Sequence, residues 1–124
     1  METAEVDMGS IGEFKKEKLI AGILLAASVS PEKVLAVLER EWGPIDHLSK
    51  GVPFDFTSYY DREMGEGIRR YYLSFRPLIS PDRLSSIKNR SNHLEEGFRE
   101  GGNRLVNIDP GSLSLNRLVL ASSK

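Results

Sequence analysis

The stretch Pro53 to Gly65, PFDFTSYYDREMG, sets Phe54, Phe56, Tyr59 and Tyr60 among the acids Asp55, Asp61 and Glu63. Aromatic planes beside carboxylates suit a pocket for a polar ligand, since rings exclude water while hydroxyl and carboxylate groups fix orientation. Strand alternation sends Phe54 and Phe56 to one side and Asp55 and Thr57 to the other. Asp55, Thr57, Tyr60 and Glu63 are therefore the candidate ligand-binding residues of this stretch. The competing reading is structural: phenylalanines in the core, tyrosines over a sheet edge, acids in solvent.

Asp109, in NIDPG, is the fifth candidate. Aspartate before Pro-Gly is a standard turn initiator whose side chain bonds nearby amides. If Asp109 approached Asp55 or Glu63, the carboxylates could hold a magnesium ion or split their pKa values for acid and base roles. A magnesium-dependent enzyme is the alternative function on that ground, with no catalytic residue assigned.

Other chemistries find less support. A phosphate-binding loop needs GxxxxGK[ST], which the chain lacks, and Gly65-Glu66-Gly67 fails as GxGxxG because Arg70 stands where the third glycine belongs. Without cysteine there is no disulfide, thiol nucleophile or thiolate metal site, and two histidines, His47 and His93, exclude a histidine-rich metal centre. Arg69, Arg70, Tyr71 and Tyr72 suggest single-stranded RNA stacking on a sheet. Against it, RYYLSF lacks the glycine-aromatic signature of RNA-recognition domains, and the net charge is −1.

At 124 residues the chain fits one domain, with 40% apolar residues arranged in periodic blocks. Residues 1–17 are polar and aperiodic and read as a flexible lead, leaving 18–124 as a single α+β domain. Lys15, Lys16 and Lys18 ahead of the apolar run imitate an export signal, but an acidic lead precedes them and a helix start follows the run. The run is also far shorter than the roughly 20 residues that span a bilayer. A cytoplasmic protein with no membrane segment is the expectation.

LIAGILLAA is a short continuous apolar run, which suits a central strand covered on both faces. In SVSPEKVLAVLEREWGP, Ser30 can cap the free amides, Pro31 fits the first helical position, and Gly43-Pro44 ends the helix. Leu35, Leu38 and Trp42 share its inner face. A second strand is predicted from Ile45 through Thr57, and a third over IRRYYLSF, with Tyr71, Leu73 and Phe75 on one face and Arg70, Tyr72 and Ser74 on the other. Ser80-Pro81-Asp82 repeats the helix start, and Leu84, Ile87, Ser91, Leu94 and Phe98 form a stripe. RLVNI supplies a fourth strand. The order βαββαβ predicts a ferredoxin-like sandwich: a four-stranded antiparallel sheet, first and third strands central, both helices on one face. The C-terminal segment PGSLSLNRLVLASSK fits neither period and is expected as a short helix or extended segment.

EREWGPID, PFDFTSYYDREMG, RYYLSF, NIDPGSLSL and LVLASSK together resemble an uncharacterised prokaryotic family, domain of unknown function 4416, from about Leu19 to Lys124. Some of its members carry the label "GTP-binding protein". The resemblance implies a further turn and hairpin after LVLASSK, so the chain is expected to be short at its C-terminus. It also implies an aromatic residue where Ser112 follows DPG. A missing hairpin would leave an apolar patch or free edge, which makes a homo-oligomer a possible outcome. The function expected overall is binding of a polar small molecule or a protein partner through the aromatic-acidic motif and Asp109, with the cofactor unassigned.

Overall fold

The computed structural model describes residues 15–54, 61–114 and 118–121. Strand β1 spans Glu17–Leu25. Its period of two sends Leu19, Ala21, Ile23 and Leu25 into the main core, while Leu24 and the following Ala26 enter a smaller cluster on the opposite face with Met64 and Ile68.

Helix α1 spans Pro31–Trp42 and buries Val34 and Leu38. Its start departs from expectation: the Ser30 hydroxyl does not cap the helix and instead donates to Glu32 at 3.0 Å. Gly43 ends it with φ +100, its amide donating to the Glu39 carbonyl at 2.9 Å. A side chain there would be strained, and its Cβ would lie 2.6 Å from Pro77 Cγ.

The predicted strand from Ile45 to Thr57 is two short strands, β2 at Ile45–Leu48 and β3 at Val52–Pro53, both paired with β4 at Arg69–Ile79. The break lies where a side chain takes over from the backbone. Ser49 donates its amide to the Tyr72 carbonyl, and its hydroxyl, not its carbonyl, accepts the Tyr72 amide, each at 2.8 Å. Gly51 follows under the Tyr71 ring, where a Cβ would meet Cζ at 2.5 Å. Thr57 and Phe56 lie outside the described residues. One helical turn, α2 at Asp61–Met64, stands at the start of the expected MGEG turn, and Gly65 and Gly67 then turn the chain with φ +79 and +81.

A 3-10 turn over Pro81–Arg83 leads into α3, Leu84–Glu96, which buries Leu84, Ile87 and Ser91 as the stripe requires. Strand β5 is longer than expected, Val106–Leu113, and runs through Asp109-Pro110-Gly111. Proline is tolerated because position 110 points its backbone away from β1, as its carbonyl accepts Ala121 N at 3.0 Å on the outer side. The C-terminal segment provides a strand, β6 at Leu118–Leu120, antiparallel to β5.

The result is an α+β fold with one antiparallel sheet in the order β2-β4-β1-β5-β6, β3 also pairing with β4. The sheet thus differs from the expected four strands: the second is divided into β2 and β3, β6 is added, and β5, expected at the edge, is interior together with β1 and β4. Residues of α1, α3 and the odd-numbered side of β1 share one cluster, so both helices pack on the same face. Its largest buried side chain is Phe75, which meets Trp42 edge-on at 5.7 Å and 83°.

Candidate functional site

The face of the sheet away from α1 and α3 holds a hollow of about 740 Å³, within the usual size of small-molecule sites. Strand register explains its shape. Gly22 on β1 pairs with Tyr72 on β4 and with Asp109 on β5, so these three residues form one row across the sheet. With strands about 4.8 Å apart, the row spans roughly 10 Å between outer Cα atoms. Gly22 contributes no side chain, and a Cβ there would lie 3.2 Å from Tyr72 Cε1. The tyrosine ring therefore leans over the glycine, while remaining 56% exposed.

The rows on either side differ in character. Toward the end of β1, Leu24 pairs with Arg70 and Asn107. The Arg70 guanidinium lies 5.2 Å from the Tyr72 ring centre and 5.8 Å from that of Phe54, so it is flanked by two aromatic faces. Toward the start, Ile20 pairs with Ser74 and Gly111. Here Asp46 accepts from the Ser74 hydroxyl at 2.6 Å and pairs with the Lys18 ammonium. Lys18, and then Ser74, hold the Asp46 carboxyl below its ordinary pKa, because both hydrogen bonds favour its charged form. His47 is exposed beside this group, opposite Ser74.

Asp109 is held from the other side. Its Oδ1 accepts from Lys88 Nζ at 3.1 Å and its Oδ2 from Asn107 Nδ2 at 3.0 Å. The same Lys88 donates to the Ile108 carbonyl at 3.0 Å, and Glu95 accepts the Ile108 amide at 2.7 Å. Two side chains of α3 thus satisfy the outward backbone groups of β5 before β6 begins, which a sheet edge otherwise leaves bare. The pairing continues from Glu95 to Arg104, 3.9 Å away, and from Arg104 to Glu63 at 3.3 Å.

Of the five candidate residues, Asp109 lines the hollow. Asp55, Thr57 and Tyr60 lie outside the described residues. Glu63 faces elsewhere, in ion pairs with Arg99 and Arg104, and it also accepts the Arg104 amide at 3.1 Å. From the aromatic-acidic motif, Phe54 reaches the hollow. Gly22 was the signal for this site, since a lone glycine inside an apolar strand marks a close approach of another group. Tyr72 was legible as an outward residue of β4. The roles of Lys88 and Glu95 had no sequence signal, because each sits in an ordinary helical pattern.

Among the described residues no group of three or more acidic or histidine side chains could hold a metal ion. Nor, among them, is any helix long and apolar enough to cross a membrane. Comparison with curated proteins and with solved structures finds no match. The sequence pattern of the family described as domain of unknown function (DUF4416) matches residues 15–124, nearly the whole chain, and the protein belongs to that family.

Proposed function

We propose that the chain is a binding module whose open sheet face takes a small molecule, held between β4 and β5 over β1. One observation carries this: Tyr72 and Asp109 stand on either side of Gly22 on the floor of one hollow. An exposed ring and a carboxylate separated by a glycine leave a floor with apolar and polar walls. That combination orients a ligand without requiring chemistry on it. The central order β2-β4-β1-β5, with both helices on one face, supports a ferredoxin-like reading of the fold, with β6 added at the edge.

The test is thermal melting of wild type, Tyr72→Ala and Gly22→Val with a panel of nucleotides, aromatic acids, metal ions and common metabolites. A ligand at about 100 times its Kd adds roughly 2.7 kcal/mol, a rise of several degrees for a domain of this size. Wild type should respond to at least one compound and both variants should lose the response. A wild-type melt that no compound moves removes the reading.

Single-stranded RNA on the same face is the second reading, favoured by the Arg70 guanidinium beside the exposed Tyr72 ring. It requires salt-sensitive retention that Arg70→Ala weakens. Absence of retention at low salt dismisses it.

A further inference from the structure

The Tyr72-Gly22-Asp109 row also narrows the kind of ligand, on the reading that the open face is a binding site. An apolar chain would need only an apolar trough. This floor instead offers a plane: Tyr72 leans over Gly22, whose missing side chain lets it come so close, and the flat guanidinium of Arg70 extends the surface from Tyr72 to Phe54. Rings stack on such surfaces, and the contact is worth more than the area alone because the faces are electrostatically complementary. At the far side of the row stands Asp109, whose carboxylate accepts hydrogen bonds and, when ionised, donates none. Lys88 and Asn107 each donate to one of its oxygens and so fix its direction. A carboxylate oxygen has room for more than one donor.

We propose that the hollow takes a flat heteroaromatic ring that stacks on Tyr72 above Gly22 and presents an N–H edge to Asp109. The hollow of about 740 Å³ above this row is of a size that such a ring can enter. The shared chemistry is that of a nucleobase, whether in a free small molecule or in a strand.

The experiment titrates the full chain with three sets of probes: the four common ribonucleosides, short oligoribonucleotides of the same bases, and decanoate as an aliphatic comparator. Binding is read by thermal shift and by NMR of the Tyr72 ring. At least one nucleoside or oligonucleotide should bind. Tyr72→Leu should weaken it about tenfold, the scale of one stacking contact, while Tyr72→Phe keeps it. Asp109→Asn should change the order of preference among bases, because an amide also donates. Tighter binding of the oligomer assigns the ring to a strand, and tighter binding of the nucleoside to a free molecule; both uphold the stacking. If decanoate alone binds, or if Tyr72→Leu leaves base binding unchanged, the ring proposal falls and the binding face stands. If nothing in any set binds, both fall.

Discussion

Lys88 and Glu95, seven residues apart on α3, hold the carbonyl and the amide of the same residue, Ile108, at 3.0 and 2.7 Å. A lysine offers only donors and a carboxylate only acceptors, so the pair imitates the neighbouring strand that β5 lacks at this point. Both side chains are buried, and each lies near an opposite charge, Asp109 for Lys88 and Arg104 for Glu95.

Glu95→Ala leaves the buried Ile108 amide without its acceptor and Arg104 without one of its acids. We expect a loss of about 2–4 kcal/mol, read as a lower urea midpoint. Glu95→Gln keeps a neutral acceptor and should cost no more than about half as much. If Glu95→Ala unfolds within 0.5 kcal/mol of wild type, the clamp does not stabilise the fold.

Gly22→Val separates site from scaffold. Valine suits a strand, so the domain should stay folded with a stability change of about 1 kcal/mol or less. The new side chain meets the Tyr72 ring, since even its Cβ would lie 3.2 Å from Cε1. The ring signals of Tyr72 should shift in NMR spectra and binding on the open face should disappear. Unshifted signals would mean that the ring does not rest there.

Asp46 predicts a pH dependence of known sign. Its folded pKa is lowered by Lys18 and then by Ser74, so its contribution is present above the unfolded value and lost as pH falls through the folded one. Wild type should melt higher than Asp46→Asn at neutral pH. The gap should close on acidification below about pH 4. A gap that is constant from pH 7 to pH 3 would assign the difference to shape and not to charge.

Phe75 is fully buried and meets Trp42, the only tryptophan of the chain. Phe75→Ala should cost about 3–5 kcal/mol by opening a cavity between α1 and the sheet. Tryptophan emission should move to longer wavelength in whatever fraction stays folded. An unchanged emission maximum would place Trp42 out of contact with the cavity.

Much of the frame was legible because period and punctuation agreed. The stripe through Leu84, Ile87 and Ser91 marked α3, Gly43-Pro44 marked the end of α1, and the alternation of Tyr71 to Phe75 sorted the faces of β4. What failed depended on partners far along the chain. Asp109-Pro110-Gly111 reads as a turn locally, yet becomes strand because β1 pairs along its inner side and the proline nitrogen points to the outer one. Ser30 has the residue type of a cap, but its hydroxyl finds Glu32 two residues away. Phe54, expected on the side opposite the ligand-binding residues, lines the hollow itself, whereas Glu63 is drawn off by Arg99 and Arg104, far along the chain and invisible to spacing rules.

Strand β1 enters the main core at Leu19, Ala21, Ile23 and Leu25, whereas on its other face Leu24 joins the smaller cluster and Ile20 does not. Its odd-numbered side chains are anchored from Leu19 to Leu25 while the other face is bare between its ends, and an occupant lying on Gly22 would brace that face and tie β4, β1 and β5 together. Slower amide hydrogen exchange along residues 20 to 23 would then be the mechanical signature of a filled site.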